Sequence, residues 1–310
     1  MKNYLLLPAA LLLAACGQPE EAAAPATESA GEPEAAAETA SPEPAAEPAS
    51  QRLEEILAAQ PEDVQARYEH RHPQETLEFF GIQPGMTVVE ALPGGGWYTK
   101  ILLPYLGADG RLIGADYALE MFPLFGFFSD EQIKKKETWV EDWTAQAEGW
   151  AGEDGAAVSA FVLGSLPEEM KGTADAMLFI RALHNLARFE DEGGYLTAAL
   201  ADAYAVLKPG GVVGVVQHEA RPDMPDEWAD GSAGYLKQAF VINAFEEAGF
   251  ELAAESDINA NPADQPTAED VVWRLPPTLA TSREDPELRE QLQAVGESNR
   301  MTLLFRKPAE

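Results

Sequence analysis

Short apolar runs alternate with longer amphipathic stretches along most of the chain. The short runs, at residues 87–91, 111–116, 157–163, 175–180, 212–217, 250–256 and 301–305, read as strands. Between them, helical periodicity predicts helices over 74–80, 97–106, 195–207 and 235–248. Three of these carry clear stop signals: Gly81, the run Lys208-Pro209-Gly210-Gly211, and Gly249. Strand and helix in alternation predict an α/β fold with a doubly wound, mainly parallel sheet covered by helices on both faces.

Two regions break this rhythm. Residues 117–150 hold eight of the chain's 27 aromatic side chains: Tyr117, Phe122, Phe125, Phe127, Phe128, Trp139, Trp143 and Trp150. Such a segment is expected to be a helical insertion packing its own small core, the alternative being a lid over an apolar pocket. Residues 259–299 are Pro-rich and partly irregular, and connections of that length are often functional.

The beginning of the chain has another pattern. Lys2, an apolar run from Tyr4 to Leu13 and small residues before Cys16 follow the order of an export signal, and the run is too short to span a bilayer. Leu13-Ala14-Ala15-Cys16 resembles the lipobox of bacterial lipoproteins, which implies a signal over residues 1–15 that is removed and a lipid anchor on Cys16; an ordinary export signal is the alternative. The location this implies is the periplasm or cell envelope. Gly17, where Asp often signals inner-membrane retention, inclines the anchor toward the outer membrane. Cys16 is the chain's only cysteine, so an intramolecular disulfide and a Cys-based metal site are both excluded.

Residues 17–50 contain twelve Ala, eight Glu and six Pro, with no Leu, Ile, Val, aromatic or basic residue. They cannot bury enough apolar area to offset the entropy of ordering, so residues 16–50 are expected to form the anchor and a disordered, solvated tether. Residues 51–310 suffice for one large domain with a proper core. The formal net charge is −32. A chain this acidic is a poor match for phosphate backbones, which argues against nucleic acid as a substrate. Lys134-Lys135-Lys136 is the only basic run, and a solvated helix turn accounts for it.

The most informative stretch is Val88-Val89-Glu90-Ala91-Leu92-Pro93-Gly94-Gly95-Gly96-Trp97, a strand that runs straight into three glycines and then a helix. Glycine lets the backbone turn sharply and lets a ligand approach bare amides. Asp116 closes the next strand 22 residues after Gly94, near the spacing at which a carboxylate receives the ribose hydroxyls of a bound nucleoside.

Two later stretches, residues 174–185 ("ADAMLFIRALHN") and 203–216 ("AYAVLKPGGVVGVV"), resemble the fourth and fifth strands of class I S-adenosylmethionine-dependent methyltransferases. The resemblance runs in order across residues 79–305. Residues 79–86 ("FFGIQPGM"), 93–99 ("PGGGWYT") and 296–303 ("GESNRMTL") are similar to a bacterial group of exported methyltransferases. The resemblance implies a seven-stranded, Rossmann-like sheet and S-adenosyl-L-methionine as cofactor, bound through Glu90, Gly94, Gly95, Gly96 and Asp116, with Ser165 and Asn185 beside it. Leu92 stands where the family has its first glycine. Ser165 stands where an acidic residue often meets the adenine amino group.

Ligands of an open parallel sheet bind beyond the carboxyl ends of its strands. His184 and Asn185 after the fourth strand, and His218 and Glu219 after the fifth, are expected there, joined by residues 67–73 with His70 and His72. Methyl transfer to oxygen or nitrogen needs a base near neutral pH, for which His218 and His184 are the candidates, with Glu219 orienting them. The acceptor is expected to be a small molecule or an envelope component. The rival reading is a non-catalytic envelope protein that uses the same crevice for another nucleoside, a ligand, or a metal held by His184, His218 and Glu219, with His70 or His72 as a further candidate ligand.

Overall fold

The computed structural model describes residues 48–309. The export signal, Cys16 and nearly all of the expected tether lie outside them. The helix α1 (Ala49–Ala58) already takes in the last two tether residues, because Leu53 and Leu57, one turn apart, bury against the domain and Arg52 donates to the Pro104 carbonyl at 2.6 Å.

Eight strands form the sheet: β1 (Thr87–Ala91), β2 (Arg111–Asp116), β3 (Ala157–Val162), β4 (Ala174–Ile180), β5 (Leu207–Ala220), β6 (Leu236–Lys237), β7 (Glu251–Ser256) and β8 (Arg300–Arg306). Seven follow the order β3-β2-β1-β4-β5-β8-β7, and the two-residue β6 pairs with the end of β5. All pairings are parallel except those of β8, which runs antiparallel between β5 and β7. This is the doubly wound, mostly parallel sheet expected of a Rossmann-like fold.

Period-two alternation divides each strand between two cores. Val89, Ile113, Met177, Phe179, Val213 and Val215 face one; Val88, Leu112, Ala176 and Leu178 face the other. The helices α2 (Pro73–Phe79), α3 (Thr99–Leu106), α4 (Asp130–Lys136), α5 (Trp139–Ala151), α6 (Leu183–Arg188), α7 (Tyr195–Val206), α8 (Gln238–Glu247) and α9 (Pro286–Val295) complete the layers. Helices α1, α2, α3 and α5 supply the second core, and α6, α7 and α8 the first.

Several boundaries moved for identifiable reasons. β5 absorbs the predicted turn at 208–211: Gly210 N–H donates to the Lys307 carbonyl (3.0 Å) and Lys307 N–H to that of Gly211 (2.9 Å). β5 also runs on to Ala220, so His218 and Glu219 lie in the strand instead of following it. The helix expected from residue 235 starts at Gln238, since Tyr235 is fully buried with its hydroxyl on Asp264 (2.9 Å) and Leu236 and Lys237 pair with β5.

Residues 117–150 split in two. Tyr117, Phe122, Phe125 and Phe128 form a cluster of edge-to-face and tilted rings that reaches Phe189. α5 is instead the crossover helix between β2 and β3, and Trp143 packs where Gly114 has no side chain: a Cβ there would lie 2.5 Å from the indole. α4 between them has a reciprocal cap, with Ser129 N–H donating to Gln132 Oε1 (2.8 Å) and Gln132 N–H to Ser129 Oγ (3.3 Å). Its acidic first turn and its last-turn lysines suit the helix dipole.

Candidate functional site

The sheet order reverses between β1 and β4, neighbours whose chains depart to opposite sides. Such a reversal opens a crevice beyond the strand ends. A cavity of about 240 Å³ lies there, lined by Leu92, Arg181, His184, His218, Trp273 and Ser298 among others. Leu92 and Arg181 directly follow β1 and β4, and both are left-handed, at φ 54° and 58°. A side chain in that region costs about 1–2 kcal/mol, and two such residues at one crevice mark a place where local comfort is sacrificed. At position 92 the turn thus demands a backbone that a glycine would supply without strain.

The turn after β1 is held from beneath. Thr99, at the start of α3, donates to Glu90 Oε2 at 2.6 Å, and Leu92 N–H donates to the Ala115 carbonyl at 2.7 Å. Burial raises the Glu90 carboxyl to about 7, the Thr99 bonds opposing it. Glu90 therefore braces the turn from inside. The amides of Gly94 and Gly95 donate to no acceptor among the described residues, whereas Gly96 N–H is taken by the Pro93 carbonyl (2.9 Å). Gly96 has a packing duty as well: a Cβ there would lie 2.4 Å from the Trp150 ring, while one on Gly95 would meet nothing within 4 Å.

Asp116 ends β2 as predicted, but its oxygens are engaged. Oδ1 accepts from Tyr117 N–H (2.9 Å), and Oδ2 accepts from Lys136 Nζ (2.8 Å), whose ammonium also lies 4.7 Å from the Phe122 ring centre. The basic run is thus more than a solvated turn: Lys134 and Lys135 are exposed, while Lys136 folds back onto the strand end. Ser165 lines a second cavity of about 210 Å³ with Ala118, Leu163 and Tyr195, beyond β2 and β3. Asn185 donates to the Tyr117 hydroxyl at 2.9 Å. A larger groove, about 450 Å³, runs along α7 and α8 on the flank of the domain, away from the strand ends.

The two histidines at the strand ends do meet, their ring centres 5.6 Å apart. His218 Nδ1 is 2.6 Å from Ser298 Oγ, and His184 Nδ1 is buried without a partner among the described residues. Burial brings His184 down to about 4 and His218 well below its ordinary value, and the positive field of Arg181 adds to both shifts. Both rings are therefore neutral at neutral pH. Glu219 does not orient them. Successive strand residues point to opposite faces, and its carboxylate accepts from Asn299 Nδ2 (3.0 Å) on the other side. Ser298 takes that place, and the expected ligand set of His184, His218 and Glu219 does not assemble. Among the described residues no group of three or more His, Cys, Asp or Glu is arranged to hold a metal ion. His70 and His72 line an adjoining cavity of about 180 Å³ with Asn261 and Arg300, and Glu297 borders both cavities.

Glu297 is the centre of a charge cluster. It accepts from Arg67 (Nε at 2.8 Å), from Arg71 Nε (3.1 Å) and from Arg300 Nη1 (3.1 Å). Burial alone would raise its pKa, but Arg71, Arg300, Arg67 and Arg181 together take it below the ordinary value. The cavity's cover is pinned separately, since buried Asp264 accepts from Arg274 Nη2 (2.8 Å), the Tyr235 hydroxyl (2.9 Å) and Asn299 N–H (3.0 Å). Arg181, Glu297, Ser298, Trp273 and Lys136 are site residues that sequence reasoning missed. The available signal was a charged residue directly after an apolar strand at Arg181 and a Glu-Ser-Asn-Arg run entering one at Glu297.

No protein-family model and no curated protein matches the sequence. Among solved structures, the chain is similar to S-adenosylmethionine-dependent methyltransferases. One is from Aquifex aeolicus, at 18% identity over 67% of this chain and 93% of that one, with a TM-score of 0.41. Another is a geranyl diphosphate methyltransferase in complex with S-adenosylmethionine, at 17% over 82% and 94%, TM-score 0.46. The chain is also similar to the cyclase SpnF, at 17% over 78% and 81%, TM-score 0.47.

Proposed function

We propose that this protein is an S-adenosylmethionine-dependent methyltransferase of the cell envelope, held there by a lipid on Cys16, that modifies a small or envelope-associated acceptor. The observation that carries this reading is the crevice at the sheet's reversal point, walled by Leu92 from the turn after β1 and by two neutral imidazoles; the unengaged amides of Gly94 and Gly95 follow Leu92 in that turn. The residues present fit the cofactor in part. Gly94 and Gly95 have bare amides for its tail, Asp116 would take its ribose hydroxyls once Lys136 yields, and the cavity at Ser165 lies where its base would enter. When bound, the cofactor supplies a methyl group on a sulfonium.

The chain's own contribution is positioning and proton acceptance. A neutral imidazole has a free lone pair, so His184 or His218 can take the proton of a hydroxyl or amine acceptor, and Ser298 fixes the plane of the His218 ring. Asp264 holds the segment that carries Val272 to Leu275, one wall of the cavity, through Arg274. Isothermal titration of the full chain with S-adenosylmethionine and with its demethylated product tests the reading. Binding of both is expected, and no heat with either would reject it.

A second reading is favoured by one observation, the Lys136–Asp116 pair, which closes the ribose carboxylate with the protein's own cation. On that reading the crevice serves a non-catalytic ligand, and Lys136→Ala would leave nucleoside affinity unchanged.

A further inference from the structure

In a chain of net charge −32, four guanidinium groups converge on one carboxylate. Arg67, Arg71 and Arg300 all hydrogen-bond Glu297. Arg181 does not: its guanidinium makes no hydrogen bond and no ion pair among the described residues, although its backbone N–H is tied to the Val216 carbonyl (2.6 Å) and its side chain lines the 240 Å³ cavity. Glu297 is already saturated, so the cluster carries an excess of positive charge, and the excess sits at the cavity wall. A cation placed among like charges in a partly buried site costs free energy unless something answers it.

Three further observations point to a ligand as the answer. Arg181 is held in a left-handed conformation at φ 58°, a strain that the chain tolerates at the mouth of β4. His184, only 6% exposed, lies beside the same cavity, and neither its Nδ1 nor the neighbouring Gln217 Oε1 completes a hydrogen bond among the described residues. The remaining wall is mixed: Leu92, Ile180, Val272, Trp273 and Leu275 give it an apolar, partly aromatic side, and His218, Thr278, Ser298 and the arginine-paired Glu297 a polar one. A planar guanidinium fork beside an apolar, aromatic side wall matches a carboxylate on an apolar body, since the carboxylate accepts two parallel N–H bonds.

Resting on the reading of the protein as a methyltransferase, we infer that the acceptor is a small organic acid whose carboxylate pairs with Arg181 while its apolar body packs against Trp273. Burial depresses both neighbouring histidines most, and the carboxylate would offset the further contribution of Arg181. The same guanidinium discriminates against uncharged analogues, for which Arg181 would remain unanswered.

The test uses benzoate as the probe and benzamide as its neutral isostere, by isothermal titration of the full chain. Benzoate is expected to bind about tenfold to a hundredfold more tightly than benzamide, the range of a charge-assisted pair. Arg181→Leu should abolish that preference. It should also raise the melting temperature of the ligand-free protein, because it removes an unanswered cation; a purely structural arginine would lower it. Equal affinity for the two probes, or an unchanged preference in Arg181→Leu, overturns the inference. The cofactor's amino-acid end also has a carboxylate, so the titration is repeated with S-adenosylmethionine present. Simultaneous binding, with cofactor affinity unchanged in Arg181→Leu, supports the acceptor assignment, and competition overturns it. If S-adenosylmethionine fails to bind while the benzoate preference holds, the methyltransferase reading falls and the carboxylate site stands.

Discussion

Lys136 offers the sharpest test of how the crevice works. Its ammonium and the Asp116 carboxylate are 2.8 Å apart, with side chains 29% and 10% exposed, so the pair lies between a surface ion pair and a buried one. Exposed pairs contribute up to about 1 kcal/mol; with partial burial and the adjacent Phe122 ring, this one is worth about 1–2 kcal/mol. A nucleoside whose ribose takes Asp116 must first break it. In Lys136→Ala the pair is already absent, so the ligand-free protein loses that free energy while the nucleoside complex, which never had it, does not. Affinity for S-adenosylhomocysteine should therefore tighten by roughly 5- to 30-fold, which is the same 1–2 kcal/mol. The ligand-free melting temperature should fall by about 2–4 °C for each kcal/mol lost. The saturated complex should melt where the wild type does. Titration calorimetry and thermal melts with and without ligand measure all three. Weaker or unchanged affinity, with the ligand-free protein destabilised, would refute the assignment of Asp116 to the ribose.

Other perturbations separate the parts of the site. Burial raises Glu90 from 4.5 to about 7, so its stabilising protonated state is complete below pH 4.5 and is lost as pH rises through 7. Glu90→Gln should gain on the wild type by up to about 3 kcal/mol across that window, read from urea unfolding at several pH values. Gly96→Ala must place a Cβ 2.4 Å from Trp150 at φ 78° and should cost about 2–4 kcal/mol in the same assay. Gly95→Ala meets nothing and should leave stability within about 1 kcal/mol of wild type while weakening S-adenosylmethionine binding. Glu297→Gln leaves Arg67, Arg71 and Arg300 without their carboxylate and should lose about 3–5 kcal/mol by denaturant unfolding. Cys16→Ser should move the protein from the membrane fraction to the soluble periplasmic fraction, as fractionation and blotting would show.

The sheet was legible because buried strands and their turns leave a local imprint. Strands β1, β2, β3, β4 and β8 fall within a residue of their apolar runs, and Gly81 and Gly249 stop helices where expected. The end of β5 was not legible, since a Lys-Pro-Gly-Gly turn gives no sign that Lys307 will draw it into a ladder. Glu219 could have been discounted from the sequence, because a residue next to His218 on a strand faces away from it. Lys136, Arg181 and Glu297 were hidden for another reason. Their meaning depends on charges 20, 116 and 230 residues away, between Lys136 and Asp116, Arg181 and Glu297, and Arg67 and Glu297. Charges placed by tertiary contact leave no periodicity to read.

The central question is whether a nucleoside lies across the mouth of the sheet. A crystal structure of the protein soaked with S-adenosylhomocysteine tests that most directly. The expected result is a ribose on Asp116, Lys136 swung into solvent, and the amino-acid tail against the amides of Gly94 and Gly95. A ligand bound elsewhere, or an Asp116–Lys136 pair still intact beneath it, would contradict the account.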